Sequence, residues 1–184
     1  RAVVAAAQDL VVLFGNVAVD WERRNEDGRP RKYNALFCAE DGRLLAPKGV
    51  ARPFAVKSLQ PNYREFDDDR HFFSARKLAA ASGHPLEREI APFFTRRAGR
   101  IGGMLCEDAW ESDYSHSPGR MLVAQGAELL VVASCSPFTR GKQSKRHRVC
   151  GALARAAERP LLYVNNVGVQ DIGKTVYVFD GGSC

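Results

Sequence analysis

The chain has 184 residues, of which 45% are hydrophobic, and this length favours one domain, spanning residues 1–184, with a sizeable core. No apolar run approaches the ~18 residues of a membrane span, and no basic segment precedes an apolar one at the start, so we expect a cytoplasmic protein with no membrane partner. The net charge is +6, but the basic runs at 22–32 and 141–148 are interrupted by acidic or polar residues, which favours a solvated face over nucleic-acid binding.

Short apolar runs bounded by turn residues predict strands at 10–19, 33–38, 100–106, 129–133, 161–167 and 175–179. The sequence Ala-Glu-Asp-Gly at 39–42 predicts a hairpin turn between two extended segments. The run at 129–133 contains no polar residue, which is typical of a strand covered on both faces.

One helix is predicted between Gly141 and Pro160, where proline ends it. Apolar residues recur there at helical spacing, as Val149, Ala152, Leu153 and Ala156. Basic residues, Arg146 among them, lie outside this stripe, so the helix is predicted to be amphipathic. Strands that alternate with helices indicate an α/β layered fold.

Cys106 ends the predicted strand at 100–106 and is followed by two acids. Adjacent strand residues point to opposite faces, so Glu107 is not expected beside the thiol unless the chain turns sharply there. A cysteine reacts as the thiolate and needs a base or a cation nearby. Taken alone, a cysteine after apolar residues is more often a small buried core residue. The five cysteines lack C-x-x-C spacing, so neither a disulfide framework nor a metal site is predicted.

Two further segments bring polar groups to strand ends. Lys57 follows an apolar run, where an ammonium group can favour a thiolate and stabilise an oxyanion; an exposed surface lysine is the alternative. Ser134 and Ser136 lie between a buried strand and the helix that begins near Lys142. Hydroxyl and backbone N–H groups at such a junction bind carboxylates, although capping of the helix explains the serines equally well.

Five motifs occur in one order along the chain: Gly15 with Tyr33-Asn34-Ala35, K-x-x-x-P-N-Y-x-x-F-D from Lys57, LCEDAW, SCSPFTRGK and VNNVGVQD…VFDGGS. From about Leu10 to Cys184, this set resembles the nitrilase superfamily of carbon–nitrogen hydrolases, and within it the glutamine amidohydrolase domains of glutamine-dependent NAD(+) synthetases. The resemblance implies a nitrilase-like αββα four-layer sandwich, incomplete in this chain, with a glutamate, lysine and cysteine triad.

The resemblance also implies a role for individual residues. Cys106 is expected to attack the side-chain amide of L-glutamine and form a thioester, and Lys57 to stabilise the oxyanion. Tyr63, Ser136 and Lys142 are expected to hold the substrate, with Lys142 at its α-carboxylate. No cofactor is expected in this domain; ATP and Mg²⁺ are implied only for a synthetase domain in the same chain, and a homo-oligomer is expected.

One further position matches the family pattern, and several depart from it. Glu65, eight residues after Lys57, matches an acid that some relatives place beside the lysine. Gln60 stands where leucine is common, and Asp68 where glutamate is common. The first catalytic glutamate of the family has no counterpart before Lys57, so we expect these residues to be a fragment of a longer protein, truncated at both ends and inactive alone.

The motif set favours a glutaminase that releases ammonia for NAD(+) synthesis from deamido-NAD. A stand-alone amidase of the same superfamily, acting on another small amide, is the main alternative. A non-catalytic relative kept for oligomer assembly is a third possibility. A nucleic-acid binder is disfavoured, because the second basic run has no interleaved aromatic residues.

Overall fold

The computed structural model describes residues 1–171, 173 and 175–184. Its helices are Ala2–Ala6 (α1), Asp68–His71 (α2), Ala75–Ser82 (α3), Pro118–Ala124 (α4) and Lys142–Ala157 (α5). Its strands are Val11–Arg24 (β1), Pro30–Glu40 (β2), Arg43–Leu45 (β3), Ala55–Val56 (β4), Phe93–Phe94 (β5), Arg100–Leu105 (β6), Leu129–Ser134 (β7), Leu161–Asn165 (β8), Val167–Asp171 (β9) and Val176–Asp180 (β10). Short 3₁₀ helices lie at Leu86–Arg88, Cys106–Ala109 and Glu111–Asp113.

The strands form two main sheets. In the first sheet, β2 pairs antiparallel with β1, β3 and β4. The second sheet has the order β5-β6-β7-β8, in which β6, β7 and β8 are parallel. The predicted hairpin at 39–42 is confirmed, because Asp41 and Gly42 join β2 to β3. Both residues have positive φ angles, as a two-residue hairpin turn of this type requires. Strands β9 and β10 form a separate antiparallel pair.

The two sheets pack face to face, and helices cover their outer faces. Leu36, Cys38 and Ala55 of the first sheet form a buried cluster with Phe93 and Leu105 of the second. Helix α3 is buried with the opposite face of β2, and α4 and α5 are buried with the opposite face of β6 and β7. This helix–sheet–sheet–helix order confirms the predicted αββα class.

The glycine pair in β6, Gly102 and Gly103, lies where the strand is covered on both faces. A Cβ atom on Gly102 would lie 2.8 Å from Leu130 Cδ2, and one on Gly103 would lie 2.5 Å from Leu36 Cδ2. Neither position has room for a side chain, so glycine permits the close approach of both neighbouring layers. This packing fixes the strand that carries Cys106 at its end.

Helix α5 is confirmed, but its predicted apolar stripe is only partly right, since Leu153 is buried. The buried residues of the helix are Arg146, Cys150, Leu153 and Ala157. Ala152 and Ala156 are exposed. The buried face is rotated because Arg146 finds polar partners beneath the helix. The helix also ends before Pro160, since Glu158 adopts a left-handed conformation.

Some predicted strand limits also need correction. The segment predicted as one strand at 161–167 is two strands, β8 and β9, separated at Asn166. The first strand continues to Arg24 rather than Val19, and β6 ends at Leu105, one residue before the thiol. None of the helices in the described part of the chain has the length and apolar character of a membrane span.

Candidate active site

Cys106 lies at a sharp turn immediately after β6. Its φ angle is 44°, and it begins the 3₁₀ helix Cys106–Ala109. A left-handed conformation is uncommon for residues other than glycine, and such conformations concentrate at functional sites. The chain therefore makes the turn that the sequence left open: Cys106 stays partly accessible, while the next residue, Glu107, is buried.

Lys57 follows β4 and is only 3% exposed, so the surface-lysine alternative is wrong. Its Nζ atom lies 2.5 Å from Asp68 Oδ2. Burial disfavours the charge of Lys57, but the opposite charges of Cys106 and Asp68 outweigh it and raise the pKa of the lysine. The side chain is therefore a buried ammonium group within electrostatic range of the thiol.

Asp108 ties the lysine segment to the cysteine turn. Its Oδ1 accepts the backbone N–H groups of Ser58 at 3.0 Å and Leu59 at 2.8 Å, and its Oδ2 accepts that of Leu105 at 3.0 Å. One buried carboxylate thus holds the residues after Lys57 and the residue before Cys106. Sequence reasoning did not single out Asp108, because its partners are backbone groups that carry no sequence signature.

Burial raises the pKa of Asp108 from 3.8 to about 6, against the opposing effect of its backbone donors and Lys57. Between these two pH values the folded chain keeps a proton that the unfolded chain releases, so folding becomes less favourable as the pH rises. We expect the unfolding free energy of the wild type, relative to that of Asp108→Asn, to fall by about 3 kcal/mol from about pH 4 to about pH 6 and then to stay level.

Urea unfolding of the full protein and its variant, at pH values from about 4 to about 8, measures this difference. Asp113→Asn is the matched control, because Asp113 is exposed in the next 3₁₀ helix. A wild-type advantage that is constant, or that grows with pH across this window, contradicts the assignment.

A second buried carboxylate lies beside the thiol turn. Tyr63 Oη donates to Glu107 Oε1 at 3.1 Å and Oε2 at 3.0 Å, and Tyr114 Oη donates to Oε1 at 2.9 Å. Burial and the Glu107 charge raise the pKa of both tyrosines, so they remain protonated donors. The charge of Cys106 also raises the pKa of Tyr63. This predicted substrate residue therefore lies in the region of the thiol, where it contacts the residue after Cys106.

Ser136 and Lys142 lie on the segment between β7 and α5. Ser136 is buried, and α5 begins after Gly141 without a side-chain cap, so the capping alternative does not explain the serines. Burial lowers the pKa of Lys142, and the charge of Cys106 opposes this effect. Cys106 is thus electrostatically linked to three of the residues predicted with it.

Glu65 does not occupy the position beside the lysine. It is exposed, and the acid that contacts Lys57 is Asp68. Asp68 stands where glutamate is common in the family. Aspartate retains the carboxylate, so the contact with Lys57 is kept despite this departure. The charge of Glu65 acts instead on Lys142.

No protein-family model matches the chain. Curated relatives include the glutamine-dependent NAD(+) synthetase of Synechocystis sp., 29% identical over 95% of this chain and 28% of the relative. That of Rhodobacter capsulatus is 35% identical over 82% of this chain and 22% of the relative. The chain therefore spans about a quarter of the length of the curated relatives it matches.

Solved structures share the fold. A glutamine-dependent NAD+ synthetase from Acinetobacter baumannii, in complex with adenosine diphosphate, has a TM-score of 0.68 and 28% identity, over 99% of this chain and 28% of that one. A carbon–nitrogen hydrolase from Helicobacter pylori has a TM-score of 0.72 and 22% identity, over 97% of this chain and 56% of that one.

Proposed function

We propose that the chain is the glutamine amidohydrolase part of a glutamine-dependent NAD(+) synthetase, because its curated relatives are such synthetases and a solved carbon–nitrogen hydrolase shares its fold. The observation that carries the proposal is the pairing of a thiol on a left-handed turn, at Cys106, with the buried ammonium group of Lys57. Similarity to the named synthetases over most of the chain supports glutamine as the amide donor.

The thiolate of Cys106 attacks the side-chain amide carbon of glutamine. Lys57 stabilises the negative charge that develops on the amide oxygen, since a preorganised cation in a buried site is worth far more than one in water. Collapse of the tetrahedral intermediate breaks the carbon–nitrogen bond, and the nitrogen leaves as ammonia with the proton lost by the thiol. Water then hydrolyses the glutamyl thioester to glutamate and regenerates the thiol.

Substrate recognition uses the groups around the thiol. Lys142 supplies a positive charge for the α-carboxylate, and Tyr63 and Ser136 complete the cradle. No cofactor is assigned to this site. A synthetase domain of the same protein would consume the ammonia with ATP and Mg²⁺, and homo-oligomeric assembly and a cytoplasmic location belong to the same proposal.

The test is ammonia release by the full protein from L-glutamine, L-asparagine and simple aliphatic amides. We expect kcat/KM for glutamine to exceed that for asparagine by at least about 100-fold. With the α-carboxylate held at Lys142, the shorter side chain leaves its amide carbon about 1 Å or more farther from the thiol than that of glutamine, and a misplacement of this size costs on the order of 100-fold.

The competing amides decide between the two enzyme classes. Turnover of aliphatic amides without turnover of glutamine would make the protein a stand-alone amidase. Comparable kcat/KM values for glutamine and asparagine would contradict the assigned role of Lys142.

A further inference from the structure

Two motifs near the end of the chain, Asn165-Asn166 and the segment 179–183, have no role in the thiol chemistry. Both converge on Ser136 through a buried polar cluster. We infer that Arg146, Asn165 and Asp180 are positioning residues: they hold Ser136, and with it the segment 136–142, in the conformation that binds the substrate. The inference rests on the proposed function, because Ser136 and Lys142 are substrate-binding residues only in that proposal.

Asn165 binds both backbone groups of Ser136. Its Oδ1 accepts the Ser136 N–H at 2.8 Å, and its Nδ2 donates to the Ser136 carbonyl at 3.2 Å. The same Nδ2 donates to the Gly181 carbonyl at 2.9 Å. The side-chain amide therefore acts like a neighbouring strand, and it fixes Ser136 at the point where the chain leaves β7.

Arg146 makes the second attachment. It is fully buried, and its Nη2 donates to the Ser136 carbonyl at 2.9 Å. Its Nη1 lies 2.8 and 2.9 Å from the two carboxylate oxygens of Asp180. Arg146 is fully buried and the Asp180 side chain is 23% exposed, and such an ion pair is weak evidence for stability, because desolvation offsets the attraction. Its geometry nevertheless sets where α5 lies relative to Ser136.

The cluster also links the substrate segment to the end of the chain. Gly181 N–H donates to the Asn166 carbonyl at 3.0 Å, and Asn165 N–H donates to Ser183 Oγ at 3.1 Å. Lys142 begins the helix that carries Arg146 one turn later. A shift of Arg146 would therefore move Lys142 together with Ser136, while Cys106 and Lys57 are held separately by Asp108.

This separation makes the inference testable with two variants of the full protein. Asn165→Asp keeps the acceptor for the Ser136 N–H but loses both N–H donors. The double variant Arg146→Met with Asp180→Leu removes both charges of the ion pair, which preserves stability more often than removal of one charge alone. Arg148→Met is the matched control, because Arg148 is exposed on the same helix.

Four quantities are measured: KM and kcat for glutamine, the rate of Cys106 alkylation by iodoacetamide, and deuterium exchange in the peptide 133–142. Both variants are expected to raise KM by about 10- to 100-fold, as loss of buried hydrogen bonds implies, and to speed exchange in that peptide. The expected change in kcat and in alkylation is less than about threefold, since Asp108 still holds the cysteine turn. The Arg148→Met variant is expected to match the wild type.

KM values within twofold of the wild type, in either variant, would overturn the inference. A rise in KM that is matched by equally large falls in kcat and in the alkylation rate would also overturn the inference, because it indicates a purely structural cluster. A wild-type protein that releases no ammonia from glutamine would instead refute the proposed function. In that case deuterium exchange tests the structural part of the inference, that the cluster holds the segment 136–142: faster exchange in Asn165→Asp supports it, and unchanged protection overturns it.

Discussion

Replacement of Cys106 by alanine is expected to lower ammonia release from L-glutamine by at least about 10⁴-fold, because loss of a covalent nucleophile removes the acylation step and leaves only binding and oxyanion stabilisation. Steady-state assays of glutamate and ammonia on the full protein measure this effect. The fold is expected to survive, since Cys106 is only partly buried and alanine tolerates its left-handed turn about as well as cysteine does.

The matched control is Cys135→Ala. Cys135 is an exposed cysteine on the segment that follows β7, and burial and, to a smaller extent, the charge of Cys106 raise its pKa. We expect this control to retain activity within about threefold, because the partners of the Cys135 thiol are the side chains of Asn166 and Gln170, in solvent-exposed contacts, and such surface substitutions have small effects. Full activity in Cys106→Ala, or its loss only in Cys135→Ala, would assign the chemistry to another group.

Lys57→Met is expected to lower kcat/KM for glutamine by about 10²- to 10³-fold, the usual cost of removing one preorganised oxyanion-stabilising group. Methionine keeps most of the side-chain length but removes the positive charge. Alkylation of Cys106 by iodoacetamide is expected to slow in the same variant, because the ammonium group no longer stabilises negative charge on the attacking sulfur. The protein is expected to remain folded, since Asp68 is 17% exposed in its side chain and can gain hydration when its partner is lost.

Lys77→Met controls for the loss of an ion pair in general. Lys77 Nζ lies 2.6 Å from Asp69 Oδ1, with both side chains substantially exposed. A surface pair of this kind contributes about 0–1 kcal/mol, so activity is expected to stay unchanged. If Lys57→Met lowers the unfolding free energy but leaves both kcat/KM and alkylation intact, Lys57 is a structural residue.

The strands were predictable because their limits depend on local apolar runs and turn residues. The parallel pairing of β6, β7 and β8 was not predicted, because an apolar run indicates a strand but does not identify its partners. The buried face of α5 was not predictable. Arg146 is buried because its partner is Asp180, 34 residues later, and a helical periodicity that counts only apolar residues excludes an arginine.

The site divides in the same way. The family motifs predicted Cys106 and Lys57, and the structure brings both to one region. Asp108 and Asn165 were missed because they act on backbone groups 50 and 29 residues away, and backbone partners leave no residue pattern to recognise. The contact of Asp68 with Lys57 was missed because the motif match pointed to Glu65.

The central claim, that Cys106 is the nucleophile toward glutamine, is tested most directly by affinity labelling. A diazoketone analogue of glutamine loses dinitrogen when a thiolate attacks it and leaves a stable thioether. Peptide mass mapping of the labelled full protein is expected to find one adduct, on the peptide that contains Cys106, with labelling suppressed by excess L-glutamine. An adduct on Cys135 or another cysteine, or ammonia release that continues after Cys106 is fully labelled, would contradict the claim.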